Sequence, residues 1–110
     1  MKIENAKAQM RKGVLEYCIL LVLEGEPVYA VNIIKGLRKA NMIVVEGTVY
    51  PLLTRLKNAG LLSYSWEEST QGPPRKYYKL TAEGRMFLNE LEGSWGELVN
   101  AVGRVKKQRA

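Results

Sequence analysis

The sequence predicts an α+β fold that is mainly α-helical, with three helices, a two-stranded hairpin and a long last helix in 110 residues. Three observations support this prediction. Apolar residues recur at helical spacing before residue 60 and after residue 81, which indicates amphipathic helices. Between residues 61 and 80 the period shortens to two, which indicates strands. A chain of this length can form one core without a disulfide, and its single cysteine, Cys18, could not form an internal one.

Residues 6–24 are predicted to form the first helix. Its apolar side chains cover more than one face: Met10, Val14, Leu15, Cys18, Ile19, Leu21 and Val22. Because a surface helix of a monomer has one apolar stripe, we expect this helix to contact both its own core and a second surface. After the break at Gly25-Glu26-Pro27, residues 28–40 are predicted as the second helix, which Asn41 ends.

A third helix is predicted from about Glu46 or Thr48 to Ala59, with Gly60 as its stop signal. Pro51 is expected in its first turn, where a missing N–H costs little. One face of this helix carries the apolar residues Val49, Leu52, Leu53 and Leu56. At about 100° per residue, the opposite face carries Gly47, Pro51, Thr54 and Asn58, flanked by Tyr50 and Arg55.

A β-hairpin is predicted next. Leu62, Tyr64 and Trp66 alternate with smaller or polar residues, which is typical of a strand. The segment 71–74 (QGPP) forms the loop tip, and residues 75–80 (RKYYKL) form a basic returning strand.

Thr81 is a predicted N-cap for the last helix. The apolar residues of this helix follow the heptad spacing of a coiled coil: Leu88, Leu91, Trp95, Leu98, Val102 and Val105. Because a long helix with such a seam needs a partner, we expect these six residues to form a homodimer interface. Residues 1–80 are thus interpreted as one domain, and residues 81–110 as a C-terminal dimerisation helix that belongs to the same compact unit.

The composition excludes several classes of protein. The chain has no histidine, and all 11 acidic residues are Glu, so the commonest general base and metal ligand is absent. No catalytic residues, metal site or cofactor is predicted, and we expect that the protein is not an enzyme. The longest apolar run has seven residues, too few for a membrane span. Glu16 and Glu24 flank it and no cleavage pattern of small residues follows it, so no signal sequence is expected and we expect a cytoplasmic location.

Three helices followed by a hairpin is the order of a winged helix-turn-helix. With 17 Lys and Arg residues and a net charge of +6, we expect double-stranded DNA as the partner. Residues 1–80 are therefore interpreted as a winged-helix DNA-binding domain. The candidate DNA-binding residues are Thr48, Tyr50, Pro51, Thr54, Arg55, Asn58, Arg75, Lys76 and Lys12. Two of these residues have an alternative to DNA contact: Tyr50 could cover the core instead, and Lys12 could be merely solvated. A different class also remains open, a winged-helix protein-interaction module without specific DNA binding.

Several segments resemble the PadR family of bacterial transcriptional regulators. They are residues 11–16 (RKGVLE), 27–29 (PVY), 46–56 (EGTVYPLLTRL) and 72–84 (GPPRKYYKLTAEG). The short C-terminal region is similar to that of the compact subgroup that includes multidrug-responsive repressors. Ala30 follows Tyr29 where the family often has glycine, which affects local packing of the second helix.

This resemblance implies a homodimer that binds a pseudo-palindromic operator, usually as a repressor. In the compact members, a tryptophan of the last helix lines a flat pore at the dimer centre, and Trp95 matches that position. A small planar or aromatic effector is therefore expected beside Trp95, Val14, Cys18 and Val99. The identity of such a ligand, the operator and the regulated genes do not carry over from the resemblance.

Overall fold

The structure, a computed structural model, describes residues 1–109 as four α-helices and one small antiparallel sheet. The helices and strands, in chain order, are α1 (Ile3–Val22), β1 (Val28–Tyr29), α2 (Ala30–Lys39), α3 (Glu46–Asn58), β2 (Leu62–Glu67), β3 (Arg75–Leu80) and α4 (Ala82–Lys107). The fold is a winged helix-turn-helix with a long C-terminal helix, which confirms the predicted fold class.

The sheet has three strands where the sequence predicted two. β3 is the central strand and pairs antiparallel with β1 on one side and with β2 on the other. The residues at 28 and 29, predicted as the start of the second helix, instead form β1, with Val28 opposite Tyr78. β1 ties the segment before α2 to the hairpin.

Two helices end in the same way, at residues with positive φ. Asn41 (φ 65°) follows α2, and Gly60 (φ 82°) follows α3. In each case the N–H of this residue and the N–H of the residue after it donate to carbonyls of the last turn, as in a Schellman motif. These ends match the predicted stops and fix the direction in which the chain leaves each helix.

Pro51 does not lie in the first turn of α3, as the sequence analysis expected. The helix begins at Glu46, so Pro51 is its sixth residue and lies in the second turn. A proline there removes the N–H that would bond to the carbonyl of residue 47. That residue is an exposed glycine, so water can reach the unpaired carbonyl and the helix continues.

The core lies where all four helices meet the sheet. Its fully buried side chains include Ile19 and Leu20 of α1, Ile33 of α2, Leu53 of α3 and Leu88 of α4. Only the N-terminal part of α4 contributes to it, because after Leu91 almost every side chain of that helix is exposed.

The first turn of α4 is fixed against the end of α3. The Thr81 hydroxyl accepts a 2.9 Å hydrogen bond from the Gly84 N–H, as predicted for an N-cap, and donates one of 2.7 Å to the Gly60 carbonyl. The Thr81 N–H also donates to the Leu61 carbonyl. These bonds set the angle at which α4 leaves the winged-helix part.

Candidate nucleic-acid interface

The outward face of α3 is largely exposed. Val49, Leu53 and Leu56 anchor the opposite face in the core. The six predicted DNA-binding residues of this helix are all exposed: Thr48, Tyr50, Pro51, Thr54, Arg55 and Asn58. The helix therefore presents short polar side chains and one guanidinium to the outside, in a geometry that suits a DNA groove.

Arg55 is paired with a carboxylate of α1. Its Nη1 lies 3.1 Å from Oε1 of Glu16, while the Arg55 side chain remains 72% exposed. Lys12 is exposed and precedes Glu16 by one helical turn, so it lies on the same side of α1. α1 thus brings one acidic and one basic side chain to the border of α3.

Tyr50 is partly covered, with 38% of its surface exposed. Burial, and then the neighbouring carboxylate of Glu46, raises the pKa of its hydroxyl. The phenol therefore stays protonated at neutral pH and can donate a hydrogen bond. Its position is compatible with both alternatives, since the ring is half covered and the rest faces outward.

The cations of the hairpin are stacked on aromatic rings. The Arg75 guanidinium lies 5.0 Å from the centre of the Tyr29 ring, and the Lys76 ammonium lies 4.0 Å from the centre of the Tyr64 ring. Because successive residues of a strand point to opposite faces, the two cations lie on different sides of the sheet. These contacts were not predicted from the sequence, although the alternating aromatic residues Tyr64 and Trp66 carried the signal: in the sheet, Trp66 lies opposite Lys76 and Tyr64 lies opposite Tyr78.

A small polar recess separates α3 from the hairpin. Its volume is about 110 Å³, and it is lined by Thr54, Lys57, Asn58, Tyr64, Lys76 and Tyr78. The structure therefore brings three predicted residues, Thr54, Asn58 and Lys76, to one place. Lys57 was missed by sequence reasoning, although it lies one helical turn after Thr54.

A larger apolar groove lies between α1 and the C-terminal half of α4. It measures about 710 Å³ and is lined by Met10, Arg11, Val14, Trp95, Leu98, Val99, Val102, Gly103 and Lys106. Three of the four predicted effector residues, Val14, Trp95 and Val99, line it. Cys18 does not line it, because it lies further along α1 and packs against the core.

The predicted seam of α4 is divided between two environments. Leu88 is only 1% exposed and is buried in the core of its own chain, so it has no surface left for a second copy. This corrects the expectation for Leu88. Leu91 is half-buried against the same core. Trp95, Leu98, Val102 and Val105 are exposed and form an apolar strip along the outer part of α4.

No helix formed by residues 1–109 is long and apolar enough to cross a membrane. In the same part of the chain, no group of three or more His, Cys, Asp or Glu side chains is placed to hold a metal ion.

A family model and several solved structures indicate one family. Residues 19–90 match the model of the transcriptional regulator PadR-like family. A PadR-like transcription factor structure from Bacteroides fragilis is 66% identical, with 92% of this chain and 98% of that chain covered and a TM-score of 0.78. A PadR family regulator from Eggerthella lenta is 33% identical, with 97% and 94% covered and a TM-score of 0.89. A PadR-like regulator from Bacillus cereus is 38% identical, with 92% and 99% covered and a TM-score of 0.81.

A curated protein of Lysinibacillus sphaericus is 31% identical over 55 residues, which is half of this chain. The match also spans half the length of that curated relative.

Proposed function

The chain belongs to the PadR-like family of transcriptional regulators, and from that premise we propose that it acts as a homodimer that binds pseudo-palindromic operator DNA and represses transcription. The observation that carries the proposal is the shared border of α3 and the hairpin. There the outward residues Thr54 and Asn58 meet the cation Lys76 at one exposed recess. Because its DNA target lies in the cytoplasm, we expect the protein there.

In this proposal α3 enters the major groove and the hairpin lies on the flanking backbone. The polar side chains that reach base edges or phosphates are those of Thr48, Thr54, Arg55 and Asn58. Tyr50 and Pro51 contact the groove wall at the start of the helix. Outside α3, the DNA contacts come from three cations, Lys12 of α1 and Arg75 and Lys76 of the hairpin.

The dimer would form through the outer part of α4. An apolar strip is exposed on the single chain. It consists of Trp95, Leu98, Val102 and Val105 of α4, together with Met10 of α1. Monomeric proteins rarely leave such contiguous apolar patches uncovered. A two-fold pairing would place two copies of α3 about 34 Å apart, one turn of the duplex, which is why the operator should be a pseudo-palindrome.

A small planar or aromatic effector would bind in the groove beside Trp95, Val14 and Val99. The groove is apolar and its volume lies in the range of small-molecule sites, about 300–1,000 Å³. Since the groove is built from the same helices as the proposed dimer contact, a ligand there could change the distance between the two copies of α3. It would release DNA only if it bound one spacing more tightly than the other.

The proposal is tested by selecting duplexes from a random pool with the purified protein and titrating the enriched sequence. We expect enrichment of a two-fold symmetric site and a steep loss of affinity between about 50 and 200 mM salt. Failure to bind any duplex at low salt would favour the alternative, a winged-helix protein-interaction module. Repression is then measured by placing the selected site upstream of a reporter gene.

A further inference from the structure

The recess between α3 and the hairpin contains two lysines that approach the same ring. The Lys76 ammonium lies 4.0 Å and the Lys57 ammonium 5.6 Å from the centre of the Tyr64 ring. The two lysines come from different elements, one from α3 and one from β3, so their meeting is a product of the tertiary fold. Tyr64 packs in turn on the buried ring of Tyr78, with 5.8 Å between the ring centres, which fixes the floor of the recess.

These two positive charges have no acidic partner. Among residues 1–109 the one ion pair is that of Arg55 with Glu16, and no carboxylate pairs with Lys57 or Lys76. The lining residues are polar or aromatic and include no acid. Two ammonium groups held near one ring repel each other, and an anion between them would remove that repulsion.

The recess has the size and the donors for one tetrahedral anion. Its volume of about 110 Å³ is several times the ~30 Å³ that a water molecule occupies in the liquid. The Thr54 hydroxyl and the Asn58 amide stand beside the two ammonium groups and can donate further hydrogen bonds. Both residues belong to the outward face of α3, so a ligand in the recess is continuous with one that lies along this helix.

We propose that this recess is a phosphate-binding site in which Lys57 and Lys76 together hold a single backbone phosphate of the bound duplex. The inference rests on the proposed function, because it names the DNA group that the junction of α3 and the hairpin recognises. It assigns a role to Lys57, and it specifies that Lys76 shares one phosphate with Lys57. A phosphate contact fixes the register of the protein on the duplex without reading sequence.

The test is the salt dependence of binding to a fluorescein-labelled duplex of random sequence, about two helical turns long, followed by fluorescence anisotropy. Removing one phosphate contact should reduce the slope of log affinity against log salt by about 0.9 for each protomer bound. We expect this reduction in Lys57→Gln and in Lys76→Gln. Because both lysines hold one phosphate, the double variant should lose much less than the sum of the two single losses.

Matched variants separate this site from general charge effects and from folding. Lys57→Arg and Lys76→Arg keep the charge and should keep the slope. Lys79→Gln removes a lysine from the same strand but from the opposite face of the sheet, and should leave the slope unchanged. Thermal melts by circular dichroism identify any variant whose hairpin has lost its fold.

Each outcome is decisive. If wild-type protein binds the duplex but the slopes of Lys57→Gln and Lys76→Gln equal the wild-type slope, the phosphate site is wrong while DNA binding stands. If the two losses add fully in the double variant, the lysines contact separate phosphates and the shared recess is wrong. If wild-type protein binds no duplex at low salt, both the proposed function and this inference fail.

Discussion

The guanidinium of Arg55, on the outward face of α3, lies 3.1 Å from the carboxylate of Glu16 on α1. Arg55 must leave this partner, or share it, when it approaches DNA. An exposed pair of this kind contributes about 0–1 kcal/mol, so the DNA can displace it at little cost. The carboxylate itself is a negative charge at the border of a surface that we propose to bind a polyanion.

Two substitutions test the competition between Glu16 and DNA for Arg55. Arg55→Ala should weaken binding to the selected operator by roughly 1–3 kcal/mol if Arg55 reads a base. Glu16→Gln should strengthen binding by up to about 1 kcal/mol, because Arg55 is released and a repulsive charge is removed. Anisotropy titrations on the operator measure both, with Glu4→Gln, at the far end of α1, as the control.

The double variant shows whether the two effects are linked. If Glu16 acts through Arg55, Glu16→Gln should have much less effect in an Arg55→Ala background than in the wild type. A Glu16→Gln variant that binds more weakly than wild type would contradict the competition. Unchanged binding by Arg55→Ala would remove Arg55 from the interface.

Dimerisation is tested at the exposed strip of α4. The double variant Leu98→Arg with Val102→Arg should sediment as a monomer, because four cations would face each other across the proposed two-fold contact. Both residues are exposed on the single chain, so the substitutions should not unfold it. Leu91 is a poorer choice, since it packs half-buried against the core.

Met86→Arg provides the control for this experiment. Met86 is an exposed apolar residue of α4 that lies on roughly the opposite side of the helix from Trp95. We expect this variant to keep the wild-type mass in sedimentation. An unchanged dimer mass for the Leu98 and Val102 variant would contradict the proposed interface.

Local periodicity was sufficient to predict most of the elements. The buried face of α3 followed from Val49, Leu53 and Leu56, because a 3.6-residue period places them above one another. β3 was predicted with its observed ends, because a loop tip precedes it and the Thr81 N-cap follows. β1 could not be predicted, since two residues show no alternation and form a strand only because β3 lies beside them.

The contacts of the candidate interface depended on packing that no local pattern encodes. The heptad spacing of α4 predicted that Leu88 would be covered, but not that its own chain would cover it. Glu16 and Arg55 are far apart in sequence, and so are Lys57 and Lys76. They meet only because α1, α3 and the hairpin pack on one core, so sequence reasoning found the charged residues but not their partners.

Gly84 is expected to be the glycine least tolerant of substitution. A Cβ at this position would clash with the Leu61 carbonyl oxygen, which is backbone and cannot rotate away. Gly84→Ala should therefore destabilise the fold by roughly 1–3 kcal/mol or more, as overpacking does at core sites. Urea unfolding followed by circular dichroism measures the change.

Gly93→Ala is the matched control on the same helix. A Cβ at Gly93 meets nothing within 4 Å, so this variant should gain up to about 1 kcal/mol from helix propensity. Equal stability of Gly84→Ala and Gly93→Ala would show that α4 does not approach Leu61 as closely as described.

Cys18 should be slow to react with alkylating agents. Burial raises the pKa of its thiol, so less of the reactive thiolate is present at a given pH than for an ordinary cysteine. With iodoacetamide at pH 8, we expect the folded protein to react more slowly than the same protein in urea. Equal rates in the two states would contradict the burial of this thiol.

The raised pKa of the Cys18 thiol also makes the stability of the protein depend on pH. Because the folded state holds the thiol proton more tightly than the unfolded state, this contribution is fully present below the ordinary thiol pKa of about 8.5. It is lost as the pH rises through the higher pKa of the folded state. The difference in stability between wild type and Cys18→Ala should therefore shift against the wild type in alkaline solution.

The groove beside Trp95 should prefer planar aromatic anions to planar cations. Its walls are apolar, but Arg11 and Lys106 contribute two positive charges to its lining. In a Trp66→Phe background, which leaves Trp95 as the single tryptophan, 2-naphthoate should quench the fluorescence and the planar cation proflavine should do so only at much higher concentration. Lys106→Gln should weaken the response to 2-naphthoate by up to about fivefold, the equivalent of one partly exposed ion pair. A stronger response to the cation would mean that stacking on Trp95, rather than the charge of the groove, selects the ligand.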